Sequence, residues 1–170
     1  MASTRVVVNG AAGRMGREVI AALCREPDME PVGGVDIKAG NSLDLPDGSG
    51  IIPLSSDLGE ILSTTKPHVL VDFTQAEVTM ASAPVAASHG VNMVIGTTGI
   101  SDDNLQELDR ISREHSIGIF VAPNFALGAV LLMHLAKQAA PFFEYVDIIE
   151  MHHEAKIDAP SGTALAMAKA

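Results

Sequence analysis

RVVVNGAAGRMG, running from Arg5 to Gly16, is the stretch whose reading decides the fold. Its first half, Arg5–Asn9, is a β-branched run of the kind that packs well in a sheet. Its second half places glycines at 10, 13 and 16 and runs straight into a helix pattern through Val19, Ile20 and Leu23 to Arg25. Strand, glycine turn and helix in immediate succession is the setting in which a dinucleotide fingerprint carries physical meaning. Gly10 permits the tight turn, Gly13 lets the backbone approach a pyrophosphate, and Gly16 lets the helix pack closely on the strand. The spacing is G-x-x-G-x-x-G rather than G-x-G-x-x-G, so the motif needs support from elsewhere in the chain.

The next strand supplies that support. Pro31–Val35 ends at Asp36, twenty residues after Gly16, where an acidic side chain accepts hydrogen bonds from the adenosine ribose hydroxyls. Alone, Asp36 reads as a turn aspartate at a strand end; with the glycines it points to a nucleotide. An acid there favours NADH, but Lys38 is placed to meet a 2′-phosphate, so NADH and NADPH are both expected as cofactors.

Beyond this unit the pattern repeats. Ala39–Gly50 reads as a mobile Gly, Asp and Ser-rich connection with a Pro-Asp-Gly turn. Ser55 or Ser56 is expected to cap a short helix near Leu58–Leu62. Val69–Phe73 is a buried-type strand, Ala76–Ser88 a helix kinked at Pro84 and stopped by Gly90, and Asn92–Ile95 a strand closing on Gly96, Thr97, Thr98 and Gly99. Small hydroxyl-bearing residues there put backbone amides at the carboxyl edge of a parallel sheet, where ligands of such sheets bind; a plain turn fits the same residues. Ser101–His115 is a capped helix with early acids and later bases, as its macrodipole favours, and an apolar stripe of Leu105, Leu108 and Ile111. Gly118–Ala122 is a strand, Ala126–Gln138 an apolar helix, and Val146–Met151 a last strand. His115 and His134 read as surface or packing residues. Alternating strands and helices argue an α/β, Rossmann-type doubly wound parallel sheet, with residues 1–125 as a dinucleotide-binding domain.

Composition bounds the function. At 170 residues, 47% of them hydrophobic and with mean hydropathy +0.26, the chain fills one domain, or one and part of another. A net charge of −10 makes nucleic acid and anionic membrane poor partners. Cys24 is the one cysteine, so no intrachain disulfide forms and a reducing compartment fits. The first strand begins within about five residues, leaving no room for a signal peptide, and no apolar run nears the ~18 residues of a membrane helix. A soluble cytoplasmic protein is expected. The terminal Ala164–Ala170 reads as a helix without a stop signal, as in a chain cut before its natural end.

The densest chemistry lies in Glu150–Thr163, EMHHEAKIDAPSGT. Pro160 disfavours helix at Ala159, and Ser161 is a good N-cap for the segment after it. The first amides of that helix, around Gly162 and Thr163, make an anion site for a carboxylate or phosphate. Lys156 supplies a matching charge, and His152 or His153 can move a proton near neutral pH. An ordinary solvated loop fits the same residues. Zinc does not fit: the pattern is not H-E-x-x-H, no cysteine pair supports it, and no metal is expected.

Five blocks, VNGAAGRMGR (Val8–Arg17), VDFT (Val71–Thr74), VIGTTG (Val94–Gly99), APNFALG (Ala122–Gly128) and EMHHEAKIDAPSGTA (Glu150–Ala164), resemble 4-hydroxy-tetrahydrodipicolinate reductase, also called dihydrodipicolinate reductase. The resemblance implies a cytoplasmic homotetrameric enzyme of diaminopimelate and lysine biosynthesis that reduces a cyclic imine dicarboxylate with NADH or NADPH, with residues 126–170 beginning a second, α+β domain for substrate binding and tetramer formation. By the same resemblance Gly10, Ala11, Ala12, Gly13, Arg14, Met15, Asp36 and Lys38 bind the adenine dinucleotide. Gly96, Thr97, Thr98, Ala122, Pro123, Asn124 and Phe125 line the nicotinamide side. His152 and Lys156 are the implied proton-transfer residues, and Thr98, His153, Lys156, Ser161, Gly162 and Thr163 the substrate contacts. Two other readings stay open: a nucleotide-binding module without turnover, and another Rossmann dehydrogenase acting on an amino acid such as aspartate.

Overall fold

A computed structural model describes residues 3–37, 40–122, 124–152 and 160–169. The chain forms two compact units, Met1–Val121 and Ala122–Ala170.

The first unit is a seven-stranded sheet in the order β3-β4-β2-β1-β5-β6-β7. Its strands are β1 (Thr4–Asn9), β2 (Met29–Val35), β3 (Ser42–Asp44), β4 (Ile51–Ser55), β5 (Val69–Asp72), β6 (Asn92–Ile95) and β7 (Ile119–Val121). Helices α1 (Arg14–Arg25), α2 (Leu58–Thr65), α3 (Ala76–Ser88) and α4 (Asp102–His115) connect them. Six strands run parallel; β3 alone pairs antiparallel, with β4. This is the expected Rossmann-type architecture. The strand order reverses between β1 and β5, which leaves a crevice outside their carboxyl ends.

Strand β1 shows why its sequence is continuously apolar. Successive side chains point to opposite faces of a sheet, and helices cover both faces here. Val7 joins a core with Leu62, Leu70, Met93 and Leu108, while Val6 and Val8 pack with Ile20, Leu23, Ile52 and Leu54 on the other side. Each such side chain, fully buried, contributes about 1.5–3 kcal/mol. Helix α1 buries Gly16, Ile20 and Leu23, a spacing of four and three that keeps one stripe on the sheet. Pro31 has no N–H to give a ladder, and the β1–β2 register shifts at that point, from Val6↔Pro31 to Val7↔Gly33.

Three local expectations are corrected. The connection after Asp36 contains β3, and β3 and β4 form a hairpin whose turn carries an Asp47 carboxylate that accepts from Ser49 N at 3.0 Å and Ser49 Oγ at 2.7 Å. Asp57, not Ser55 or Ser56, caps α2: its carboxylate accepts from Glu60 N at 3.1 Å, while Ser55 Oγ accepts from Asp57 N and donates to Glu60. Leu105 is 42% exposed, so the stripe of α4 rests on Leu108 and Ile111. Helix α3 spans Ala76–Ser88 with Pro84 inside it. Ser101 caps α4 as expected, accepting from Asn104 N, and His115 and His134 are exposed.

The second unit contains α5 (Leu127–Ala139), a 3-10 turn (Ala140–Phe142) and α6 (Gly162–Lys169). The strand expected at Val146–Met151 is not formed among the described residues, where this run has no ladder partner; a β-branched run becomes a strand only where another supplies ladder partners. Among the described residues no helix is long and apolar enough to cross a membrane.

Candidate functional site

The glycine turn is built by its contacts. Gly10 has φ +81°, a left-handed conformation that costs glycine no steric strain. A Cβ at Gly16 would collide with the Gly10 carbonyl and lie 2.8 Å from the Ala11 Cα, so helix and turn can meet only where the side chain is absent. Val35 O accepts from Gly10 N at 2.8 Å and Ala11 N at 3.1 Å. Asp36 Oδ2 accepts from Ala12 N at 3.0 Å. The predicted ribose acid thus also braces the turn. Gly13 begins α1 without a side-chain cap, and uncapped first-turn amides with the positive end of the helix dipole suit a pyrophosphate.

A cleft of about 420 Å³ opens beside this turn, lined by Asn9, Gly10, Gly13, Val35, Asp36, Ile37, Ser56, Leu58, Phe73, Thr74, Gln75, Val78 and Ser82. It lies at the β1–β5 reversal. Of the predicted cofactor residues it brings together Gly10, Gly13 and Asp36. Ala11 is wholly buried beneath, Ala12 half-buried, and Arg14 and Met15 exposed on α1. Gly96 lies against the Phe73 ring, where a Cβ would clash. Thr97 is buried and Thr98 exposed. Lys38 lies outside the described residues.

Sequence reasoning missed the wall opposite the glycines. Asp72 is fully buried, and its carboxylate accepts from Asn9 Nδ2 at 2.9 Å, Thr74 N at 3.0 Å, Thr74 Oγ1 at 2.6 Å, Thr79 Oγ1 at 3.1 Å and Thr97 Oγ1 at 2.9 Å. Asn9 Nδ2 also reaches Ser82 Oγ at 3.1 Å. The available signal was an acid at the end of a buried strand followed by a threonine, with a second threonine after the next strand.

In the second unit the predicted N-cap is present: Ser161 Oγ accepts from Ala164 N at 3.1 Å. Asn124 Nδ2 donates to Thr163 Oγ1 at 2.9 Å and its Oδ1 accepts from Ala126 N at 2.8 Å, pinning the start of α6 to the residues before α5. Glu150, which the sequence reading left without a role, receives Ser161 N on Oε1 at 2.7 Å, and its Oε2 lies 3.5 Å from His152 Nδ1. One carboxylate therefore ties the amide end of α6 to the histidine. Gly162 and Ala122 are half-buried and Phe125 exposed. Pro123, His153 and Lys156 lie outside the described residues. Among those described, no cluster of His, Cys, Asp and Glu is arranged to hold a metal ion.

The chain matches the family described as dihydrodipicolinate reductase, N-terminus, over residues 4–125 and the one described as dihydrodipicolinate reductase, C-terminus, over residues 128–170. It is 53% identical to the 4-hydroxy-tetrahydrodipicolinate reductase of Dehalococcoides mccartyi strain 195, over 100% of this chain and 65% of that protein. With the protein of the same name from Bacillus subtilis strain 168 it shares 42% identity over 97% of this chain and 62% of the relative. A dipicolinate-bound dihydrodipicolinate reductase from Paenisporosarcina sp. TG-14 superposes with TM-score 0.79 at 38% identity, over 98% of this chain and 64% of that one. The chain thus spans just under two thirds of the length of the relatives it matches.

Proposed function

This chain belongs to the dihydrodipicolinate reductase family, and on that premise we propose that the protein carrying it is an NAD(P)H-dependent oxidoreductase. It reduces a cyclic imine dicarboxylate, 4-hydroxy-tetrahydrodipicolinate or its dehydrated form, to tetrahydrodipicolinate on the diaminopimelate route to lysine. The observation that carries the reading is the cleft at the strand reversal, walled by Gly10, Gly13 and Asp36. A relative solved with dipicolinate supports a ring carrying two carboxylates as substrate.

The division of labour follows the two parts. Residues 1–125 form the dinucleotide-binding domain and 126–170 begin the substrate domain. Gly10–Met15 and Asp36 hold the adenine dinucleotide, Lys38 meets a 2′-phosphate when NADPH binds, and Gly96–Thr98 with Ala122–Phe125 line the nicotinamide side. The reduced nicotinamide, when bound, supplies the hydride. His152 and Lys156 supply the proton that the reduced ring requires, as general acids. His153, Lys156, Gly162, Thr163 and Thr98 hold the substrate so that its ring faces the cofactor. Ser161 N is engaged by Glu150, so within α6 the substrate carboxylate falls to the amides of Gly162 and Thr163. The protein acts as a cytoplasmic homotetramer.

The test is oxidation of NADPH or NADH by the whole protein with the imine freshly generated. Imine-dependent loss of dihydronicotinamide absorbance is the expected result. Saturable nucleotide binding without such oxidation would favour a binding module, and reduction of NAD by aspartate would favour a different dehydrogenase.

A further inference from the structure

A buried carboxylate surrounded by neutral groups is costly in a protein interior, where an uncompensated charge costs several kcal/mol. A sheet end covered by helices would be packed as well by an apolar side chain. Asp72 is 0% exposed, and the donors it receives are the Asn9 carboxamide, the Thr74 amide, and the hydroxyls of Thr74, Thr79 and Thr97. These come from separate pieces of chain: the end of β1, the turn after β5, α3, and the turn after β6. All converge where the strand order reverses.

The held groups surround the cleft. Asn9 and Thr74 line it directly, as does Ser82, to which Asn9 also donates. Thr97 Oγ1 accepts from Thr74 N at 3.0 Å besides donating to Asp72. The turn thus fixed faces the glycine turn closely: a Cβ at Gly10 would stand 3.0 Å from Phe73 O and 3.2 Å from Thr74 Cγ2. One lip of the cleft is set by Asp36 through Ala12 N, and the other by Asp72.

We propose that Asp72 is the positioning residue of the nucleotide cleft, holding the Phe73–Gln75 turn and Thr97 at the separation from the glycine turn that a dinucleotide requires. The proposal rests on the nucleotide-binding reading above. Asp72 itself touches no ligand and acts through Asn9, Thr74 and Thr97. A site works when its supporting shell locks the groups that contact the ligand, and Asp72 is the shell on this side. Asparagine in its place removes the charge that the five donors share: its NH₂ meets a fixed donor if turned to the Thr74 amide, and if turned to Asn9 it forces that carboxamide to flip and give up its present bonds to Asp72 and Ser82.

The experiment is a fluorescence titration of the whole protein with NADH, alongside thermal melting. Asp72→Asn is expected to raise the NADH Kd at least about tenfold and to diminish the fluorescence enhancement of the bound dihydronicotinamide. Thr79→Val, which removes a buried hydroxyl that reaches Asp72 without lining the cleft, should weaken binding about fivefold, and Thr79→Ser, which keeps the hydroxyl, should restore it; this pair decides the matter if Asp72→Asn does not fold. Ile111→Val, buried on α4 away from the cleft, should lower Tm with Kd within twofold. The proposal is overturned if Asp72→Asn folds and binds within twofold of the parent. It is overturned equally if Thr79→Ser fails to restore binding, or if Ile111→Val weakens NADH binding more than twofold. A parent protein that binds neither NADH nor NADPH removes the nucleotide reading itself, and this proposal with it.

Discussion

The two units differ in where their apolar residues go. Among the described residues, every buried apolar side chain lies between Val6 and Ile117. The second unit is no less apolar in sequence, yet no described residue of α5 or α6 is fully buried, and Leu127, Leu132, Phe142, Tyr145, Ile149 and Met151 are each more than half exposed. The first unit closes a sheet with helices on both faces and so makes its own core. Among the described residues the second has helices and no strand of its own. A nucleotide cleft can therefore be specified by residues of the first unit, while the described residues on either side of the segment proposed for proton transfer are held by polar ties, Glu150 to Ser161 and Asn124 to Thr163. Binding and chemistry should separate under mutation.

The largest expected effect is on stability. Leu62→Ala, at a site 1% exposed, should cost about 2–5 kcal/mol of unfolding free energy, whereas Leu131→Ala on α5, 52% exposed, should cost within about 0.5 kcal/mol in this chain; chemical denaturation of both variants compares the units directly. Next comes Lys156→Ala in the whole protein. Turnover should fall about 10²-fold or more, the scale of losing a general acid, with NADH affinity unchanged. Near-normal turnover would remove Lys156 from the chemistry, and lost NADH binding would erase the separation. Gly16→Ala should destabilise by about 1–3 kcal/mol, because a methyl forced into a close contact shifts backbone, and should weaken NADH while sparing the second unit. The smallest effect concerns Cys24. Its burial, then the nearby Asp47 carboxylate, push the thiol pKa upward, so thiol-reactive probes should label it more slowly than a free cysteine at neutral pH, and Asp47→Asn should speed labelling modestly.

The glycine turn, Asp36 and the strand–helix alternation were legible because each is local: a period, a spacing or a turn residue. The β3–β4 hairpin was hidden by its composition. Gly, Asp and Ser around Pro46 read as a connection, although Leu43 and Ile52 flank the turn and pair across it. The Val146–Met151 run failed the opposite way, since propensity has no knowledge of whether a neighbouring strand exists. Asn9, Thr74 and Ser82 could not be placed from the letters, because Asp72 joins β1 to α3 across more than sixty residues by hydrogen bonds that leave no periodic trace. The Glu150–Ser161 tie escaped for the same reason at shorter range.

The central claim is that the first unit specifies a dinucleotide site, and titrating this 170-residue chain with NADH and then NADPH while following dihydronicotinamide fluorescence tests it most directly. The account predicts saturable binding of both that Asp36→Ala weakens, with the loss greater for NADH because its ribose hydroxyls are the groups that Asp36 receives. A chain that melts cooperatively yet gives no saturable signal with either nucleotide would contradict it.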